Sequence, residues 1–277
     1  MKLGKTLKIA TYNLWNSSEF TSARVESMLT ELEGLDADII ALQEVPTKMP
    51  ISEKPTVNYI ADNIGFPYKV FLSYPSEANE GLAFLSKHPI ESVDGSWEAI
   101  QDIEANQFAL RVKIQIENMK LALTNVHLSS QPLPIIVREK QIVATVRWIN
   151  SLATEGAHEL LLGDFNCYPQ SSVHRFLCGH QSLLGESTFW HDLALVYCCQ
   201  VQKEPEATLD FENNPRWWGS KILELSGRFD WIMFRDCYPR PHPEMLNVLT
   251  FGKSKHYSKE NSPSDHYGVC ALVKWQT

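Results

Sequence analysis

Two short motifs place a carboxylate beside an amide or an imidazole. Residues 163–166 read Gly-Asp-Phe-Asn and offer Asp164 and Asn166 on one side of the chain, directly after a run of three leucines. Residues 264–267 read Ser-Asp-His-Tyr and offer Asp265 and His266. Carboxylates bind a hard cation such as Mg2+, and the amide and imidazole can hold a phosphate while another carboxylate orients water. The two motifs predict a site that hydrolyses a phosphate ester.

Four further segments carry a polar side chain in or at the end of a strand pattern. They are Asn13 in residues 7–14, Glu44 in residues 37–45, His127 in residues 125–128 and Asp230 in residues 228–232. Glu44 follows a mostly apolar run, where an acid is almost never buried alone, so metal ligation is its natural explanation.

Each of the other side chains has an ordinary alternative. Asn13 could satisfy backbone groups at the end of a strand. Asp164 and Asn166 could form an Asx turn. The remaining three could be core residues with satisfied hydrogen bonds: His127, Asp230 and His266.

Six motifs in this order resemble the endonuclease/exonuclease/phosphatase superfamily from Ile9 to Val273. The resemblance implies a deoxyribonuclease I-like α/β fold, a four-layer sandwich of two packed mixed β-sheets flanked by helices, with the site at strand ends along one edge. It also implies a phosphoesterase that depends on Mg2+, with Mn2+ as the alternative ion. Such an enzyme hydrolyses a phosphodiester or phosphomonoester by in-line attack of an activated water.

The resemblance also assigns roles to individual residues. Glu44 is the principal metal ligand, and Asp265 and Asn13 complete or steady the metal's shell. Asp164 orients and deprotonates the water, and Asn166 donates to a phosphoryl oxygen. Asp230 accepts from one nitrogen of His266, so that the other nitrogen points at the phosphate. His127 matches a second phosphate-facing histidine that pairs with a glutamate, and Glu80 stands at a comparable place.

The substrate is less clearly indicated. The net charge of −8 and the absence of a Lys/Arg stripe do not favour a nonspecific nucleic-acid binder. Arg216, Trp217 and Trp218 precede the 228–230 motif, where relatives build a loop over the substrate. The two tryptophans could stack on a base, hold a sugar or lipid group, or pack within the loop.

The end of the chain is similar to the tyrosyl-DNA phosphodiesterase branch in residues 228–230 and 263–266. Gln107 stands where many members have an arginine, and Cys-Tyr-Pro at 167–169 replaces polar residues. These departures argue against DNA-end repair.

Three other functions stay open: a phosphatase of a small phosphorylated metabolite, a sphingomyelinase-type lipid phosphodiesterase and a catalytically silent binding scaffold. The intact motifs argue against the scaffold. A serine triad around Ser264 is excluded because no Gly-x-Ser-x-Gly elbow occurs.

The 277 residues, 44% of them hydrophobic, predict one domain over residues 1–277, because the motifs come from both ends and no linker or repeat divides them. We find no signal peptide and no apolar run long enough to cross a bilayer, and expect a cytoplasmic monomer without membrane insertion. The six cysteines lack zinc spacing and are expected to be reduced thiols; Cys167 could be exposed near the site, without a catalytic role.

Apolar periodicity predicts a mixed α/β chain. The expected helices cover residues 20–35, 56–64 and 135–152. The expected strands include residues 81–86, 107–116 and 121–128, with a hairpin-length turn at 117–120 and a last strand ending at Trp275.

Overall fold

The computed structural model describes residues 5–17, 19–74, 78–95, 109–130, 133–152, 156–237 and 239–275. The first sheet contains β1 (Lys5–Asn13), β2 (Ile39–Pro46), β3 (Tyr68–Ser73), β4 (Glu80–Ser86), β11 (Glu244–Phe251) and β12 (Gly268–Trp275). The second contains β5 (Ile90–Gly95), β6 (Ala109–Ile116), β7 (Met119–His127), β8 (Ala157–Asp164), β9 (His191–Asp192) and β10 (Asp230–Arg235). The helices are α1 (Ser22–Leu35), α2 (Thr56–Ile64), α3 (Ile135–Ser151), α4 (Ser172–Leu177) and α5 (Leu193–Val201).

Both sheets follow one plan, with a single parallel pair and otherwise antiparallel neighbours. The strand orders are β11-β12-β1-β2-β4-β3 and β5-β6-β7-β8-β10-β9. β1 and β2 are parallel and joined through α1, and β7 and β8 are parallel and joined through α3. A parallel pair requires such a crossover, and its carboxyl ends meet at one edge of the sheet. Each sheet therefore has one edge where the carboxyl ends of its two parallel strands lie together and can carry polar side chains.

The core explains why β2 reads as a continuous apolar run. Ile39 and Ala41 face the second sheet, whereas Ile40 and Leu42 face the helices, and all four are fully buried. Three apolar layers result: one between the sheets, one under α1 and α2, and one under α3 and α4. This arrangement is the predicted four-layer α/β sandwich of two mixed sheets flanked by helices.

The predicted helices agree closely with the observed ones. Residues 56–64 match α2 at both ends. α1 starts at Ser22 rather than residue 20, because the Thr21 side chain accepts a hydrogen bond from the Arg24 amide and caps the helix. The predicted turn at 117–120 is shorter in the structure, because β6 ends at Ile116 and β7 begins at Met119.

Other expectations require correction. Cys167 is 2% exposed and packs in the core, so its side chain is not on the surface near the site. All six cysteines are free thiols, as expected. Position 107, where the strand pattern was expected to begin, lies outside the described residues. Within the described part of the chain, no helix is both long and apolar enough to span a membrane.

Candidate active site

The matching edges of the two sheets bring together the predicted catalytic and metal-binding side chains. One sheet and its connections supply Asn13, Glu44, Glu80, Asp265 and His266, and the other supplies His127, Asp164, Asn166 and Asp230. Seven of these side chains line a cavity of about 940 Å³: Glu44, Glu80, His127, Asp164, Asn166, Asp265 and His266. Asn13 and Asp230 lie beneath it, fully buried.

Asp164 is at the centre of this cluster. Its Oδ1 accepts from the Asn166 backbone amide at 2.8 Å, and its Oδ2 accepts from Asn13 Nδ2 at 3.0 Å. His127 Nε2 and His266 Nε2 lie 3.7 Å and 3.8 Å from the same Oδ2. Burial and then the nearby Asp230 charge raise the pKa of Asp164. A carboxylate with a raised pKa is suited to accept a proton from water.

Glu44 lies where β2 departs from regular pairing. The register between β2 and β4 shifts between Leu42 and Val45, and Glu44 has a positive φ of 51°. A bulge re-aims a side chain in this way. Glu44 Oε1 accepts from Asn13 Nδ2 at 3.0 Å, and its Oε2 accepts from the Asn16 amide at 2.9 Å. Burial raises the pKa of Glu44 despite these hydrogen bonds.

His266 and Asp230 form the predicted pair. His266 Nδ1 is 2.9 Å from Asp230 Oδ2, which leaves Nε2 facing the cavity. Burial lowers the pKa of His266, but the Asp230 and Asp164 carboxylates outweigh it and raise this pKa well above the usual range. Thr208 Oγ1 accepts from the Asp230 amide at 3.1 Å. Among the described residues, Asp230 Oδ1 is buried without a hydrogen-bond partner.

Asp265 is held by the turn that precedes β12. Ser264 Oγ donates to the Asn13 carbonyl at 2.7 Å and accepts from the His266 amide at 3.1 Å, so this serine shapes the turn. Burial raises the pKa of Asp265 to about 6. The Glu44 charge also raises this pKa, whereas the His266 charge lowers it. The turn therefore places a second acid beside Glu44.

His127 has a hydrogen-bond partner that the sequence did not indicate. The Tyr74 hydroxyl lies 2.8 Å from His127 Nδ1, and both side chains are buried. Glu80, the predicted partner, accepts from Asn16 Nδ2 at 2.7 Å. Tyr74 therefore contributes to the position of the His127 ring, and Glu80 lines the same cavity as His127.

Asn13 and Asn166 both make local hydrogen bonds that fix their side chains. Asn13 Oδ1 accepts from the Trp15 amide at 2.9 Å, while its Nδ2 bridges the carboxylates of Glu44 and Asp164. Asn13 therefore positions two acids, which agrees with a role in steadying the metal's shell, and its Oδ1 keeps a second lone pair. Asn166 Nδ2 donates to the Leu128 carbonyl at 2.8 Å, which leaves one amide hydrogen for the cavity.

The acids fit a hard divalent cation. Burial raises the pKa of both Glu44 and Asp265, and the Glu44 charge raises that of Asp265 further, so a bound positive charge would stabilise both carboxylates. Ligating atoms of Asp164, Asp230 and His266 also lie within 4.8 Å of one another. We favour Glu44 and Asp265 as ligands, because Asp230 and His266 already bond to each other.

The predicted substrate residues separate into three places. Arg216 is 5% exposed, and its Nε and Nη2 donate to the Ser262 carbonyl at 3.0 and 2.7 Å, so it supports the chain instead of reaching substrate. Trp217 is half-buried, lines the cavity and donates from Nε1 to the Asp265 carbonyl at 3.2 Å. Trp218 is 52% exposed and lines a neighbouring cavity.

Arg24 is a supporting residue that the sequence analysis missed. Its guanidinium is fully buried and donates to the carbonyls of Leu14, Trp15 and Pro263. It thereby joins the segment after β1 to the turn before β12. The sequence signal for this buried residue was a cation beside Val25 on the apolar face of α1.

Comparisons with known proteins agree with the fold. No curated protein sequence matches the chain. Solved structures of similar fold include a humanized TDP2 of D. rerio, with 19% identity, 97% of this chain and 98% of that chain covered, and a TM-score of 0.72. D. rerio TDP2 complexed with a single-strand DNA product is 18% identical, with coverage of 97% and 99% and a TM-score of 0.72.

The human Nocturnin catalytic domain with a bound sulfate anion is 16% identical, with coverage of 98% and 95% and a TM-score of 0.69. At these identities the likeness shows the fold alone. The model of the Endonuclease/Exonuclease/phosphatase family matches residues 10–266. The chain therefore belongs to the endonuclease/exonuclease/phosphatase family of phosphoric ester hydrolases.

Proposed function

We propose that this chain is a Mg2+-dependent phosphoesterase whose water nucleophile is activated by Asp164. The observation that carries the proposal is the convergence of two buried acids and one half-buried acid with two imidazole nitrogens around one cavity: Asp164, Asp265, Glu44, His127 and His266. A phosphate ester brings negative charge to the site, and water attack adds more. The same cluster offers a base for the water and donors for the phosphate.

Asp164 is the proposed base. Its Oδ1 is fixed by the Asn166 amide, so Oδ2 is the atom that faces Asn13 and the two histidines. Burial and the Asp230 charge raise its pKa, which makes this carboxylate a stronger base toward water. The Asn13 and Asn166 contacts hold this carboxylate in one orientation and so reduce the cost of aligning the water.

His266 is the proposed phosphate donor. Asp230 accepts from Nδ1 and fixes the ring, and the raised pKa of His266 keeps the imidazolium form at neutral pH. Nε2 can then donate to a phosphoryl oxygen as charge develops on it. The remaining hydrogen of the Asn166 amide and His127 Nε2 offer further donors. Removing one such donor costs roughly 3 to 4 kcal/mol where it faces developing charge.

Glu44 and Asp265 are the proposed ligands of Mg2+, or of Mn2+ in its place. When bound, the cation would supply electrostatic stabilisation of the charge that develops on the phosphate oxygens. The two carboxylates would be held for this purpose by Asn13, Asn16 and Ser264.

The rim of the cavity favours a phosphoester with an aromatic or apolar group next to the phosphate. It carries Trp15, Phe211, Trp217, Ile222 and Leu223. A solved structure of similar fold is described as complexed with a single-strand DNA product, which supports testing a nucleotide ester first. A diester and a monoester both stay candidates. We also propose that residues 1–277 act as one domain, because each sheet supplies part of the site.

Hydrolysis of bis-p-nitrophenyl phosphate and p-nitrophenyl phosphate tests the reaction class. We expect activity that EDTA abolishes, that Mg2+ or Mn2+ restores, and that Ca2+ at equal occupancy does not restore, because Mg2+ enforces tighter octahedral geometry. Asp164→Asn should lower kcat far more than it changes KM, because proton transfer matters in the transition state. Glu44→Gln should raise the Mg2+ concentration required.

The matched control is Asp62→Asn, which removes an exposed acid from α2. Its activity should equal that of the parent. Full activity of Glu44→Gln at low Mg2+ would contradict Glu44 as a metal ligand. Full activity of Asp164→Asn under any condition would contradict Asp164 as the base. A panel of plasmid DNA, RNA, sphingomyelin and sugar phosphates, assayed with the parent enzyme, then identifies the substrate class.

A further inference from the structure

A second cluster of ligating side chains lies at the opposite end of β10 from Asp230. His191 begins the short strand β9, Asp236 directly follows β10, and His242 precedes β11. Asp230 and Asp236 are separated by the length of β10, which spans roughly 20 Å when extended. The cluster is therefore remote from the cavity that contains His266.

The three side chains converge with atoms that bind transition metals. One nitrogen of each ring and a carboxylate oxygen all lie within 4.8 Å of one another. His191 Nε2 is 3.3 Å from Asp236 Oδ2, and His242 Nδ1 is 2.7 Å from Asp236 Oδ1. Ligands at about 2.0 to 2.2 Å from a tetrahedral zinc ion lie roughly 3.3 to 3.5 Å from each other. Small side-chain rotations would meet that spacing.

The backbone holds His191 and Asp236 near each other before any metal binds. β9 pairs with β10 so that His191 lies opposite Phe234. Asp236 is two residues beyond Phe234, and residues two apart in an extended chain project to the same side. The Phe189 ring contacts the His191 ring edge-on at 5.0 Å, and the Phe234 ring stacks on it at 6.4 Å. The His191 ring is thus supported on two sides.

All three side chains are reachable from solvent. Their exposed fractions are 32% for His191, 38% for Asp236 and 65% for His242. A metal ion can therefore enter without opening the core. The competing explanation is that two ordinary surface ion pairs share one aspartate, with no affinity for a metal beyond that of single histidines.

We propose that His191, Asp236 and His242 bind a divalent transition metal, with Zn2+ as the best match, and that the metal clips β9 to the segment joining β10 and β11. Two imidazoles and one carboxylate are a ligand set for Zn2+, with water in the fourth position. Mg2+ and Ca2+ prefer oxygen ligands alone, so they are poor competitors here. This site is independent of the proposed catalytic metal.

Zinc titration of the EDTA-treated full chain in excess Mg2+ tests the proposal. The Mg2+ is present to fill the oxygen-rich cavity, and the Glu44→Gln variant repeats the titration to show that this cavity is not the zinc site. We expect one equivalent of Zn2+ per chain and a rise in Tm of about 2 to 4 °C at saturation. Co2+ in its place should give the visible absorption of a tetrahedral site.

Two variants and one matched control decide the outcome. His242→Ala and Asp236→Asn should each weaken zinc binding at least tenfold and remove the rise in Tm, while phosphoesterase activity stays at the parental level. His180→Ala removes another exposed histidine and should bind zinc like the parent. Unchanged zinc affinity in His242→Ala, or no saturable binding by the parent, would overturn the proposal.

Discussion

The strand β10 has an Asp–His pair at each end, and the two pairs differ in burial far more than in geometry. Asp230 and His266 are separated by 2.9 Å, with exposed side-chain fractions of 0% and 8%. Asp236 and His242 are separated by 2.7 Å, with exposed fractions of 38% and 65%. The shorter contact is the more exposed one. Distance alone therefore does not identify the functional pair.

Burial changes what the same contact can do. Water screens the exposed pair, and such surface ion pairs contribute only about 0 to 1 kcal/mol to stability. At the buried end, Asp230 and Asp164 outweigh desolvation and raise the pKa of His266. The buried pair can thus hold a charged donor against a phosphate, whereas the exposed pair is free to exchange its partners with solvent or a metal.

The largest expected effect separates the two pairs by activity. His266→Ala and Asp230→Asn should each lower kcat by roughly 10²- to 10⁴-fold, because they remove a donor or its orienting partner. Asp236→Asn and His242→Ala should change kcat by less than about twofold, since exposed pairs contribute little. Steady-state kinetics on bis-p-nitrophenyl phosphate measures all four.

A double mutant sharpens this result. Asp230 acts through His266, so combining Asp230→Ala with His266→Ala should cost little more than either change alone. Additive losses would mean that the two side chains act independently.

A second prediction concerns the pH dependence of stability. The pKa of Asp265 is about 6 in the fold, above its ordinary value of 3.8. Its contribution to stability is therefore present below about pH 4 and is lost as the pH rises through about 6. In EDTA, the free energy of unfolding of Asp265→Asn, taken relative to the parent, should rise by roughly 3 kcal/mol from pH 4 to pH 8. Urea denaturation across this range measures the change.

Asp236→Asn is the matched control for that measurement, because this carboxylate is in part exposed to solvent. Asp236→Asn keeps Asp265, so the loss of stability as the pH rises through about 6 should persist in it. Addition of Mg2+ at pH 8 should stabilise the parent more than Asp265→Asn. Parallel pH profiles for the parent and Asp265→Asn would contradict the buried-charge argument.

A third prediction separates the adjacent tryptophans. Trp217 lines the active-site cavity, whereas Trp218 is 52% exposed and lines another one. Trp217→Ala should weaken use of a nucleotide substrate by roughly 1 to 3 kcal/mol if a base stacks on it, yet spare p-nitrophenyl phosphate. Trp218→Ala should alter neither. Equal losses on both esters with a lower Tm would indicate a packing role for Trp217.

The smallest expected effect comes from Tyr74→Phe, which removes the hydroxyl at His127 Nδ1. We expect a loss in kcat/KM of about 1 kcal/mol, or roughly fivefold, the net value of one hydrogen bond. The decrease should fall mainly on kcat, and His127→Ala should mask it. If Tyr74→Phe lowers kcat/KM by the same factor when His127 is already alanine, Tyr74 does not act through His127.

The sequence predicted the parts of the fold that have a local cause. β2 is buried on both faces and therefore reads as a continuous apolar run. α2 is buried on one face and therefore has helical periodicity, so the sequence indicated both elements. β3 and β11 were missed because their residues are mostly half-buried and depend on pairing with β4 and β12. α5 has little amphipathic pattern, so its sequence gave no clear helical signal.

The site shows the same division. Asp164 ends β8 and His266 lies just before β12, and the sequence pattern located both strands, so their convergence was expected. Tyr74 could not be found, because its contact with His127 joins residues 53 positions apart on different sheets. Arg216 was misplaced for a related reason: sequence shows a cation near the site, but only the fold shows that its donors point at Ser262.

The left-handed backbone at Glu44 and Asn166 has a consequence for engineering and evolution. Their φ angles are 51° and 48°, a region that costs a non-glycine residue about 1 to 2 kcal/mol and that glycine adopts freely. Replacing Glu44 by glycine would relieve this cost and remove a half-buried charge whose pKa is raised. Selection for thermostability alone would thus reward loss of the acid, so libraries of this protein need an activity screen to retain it.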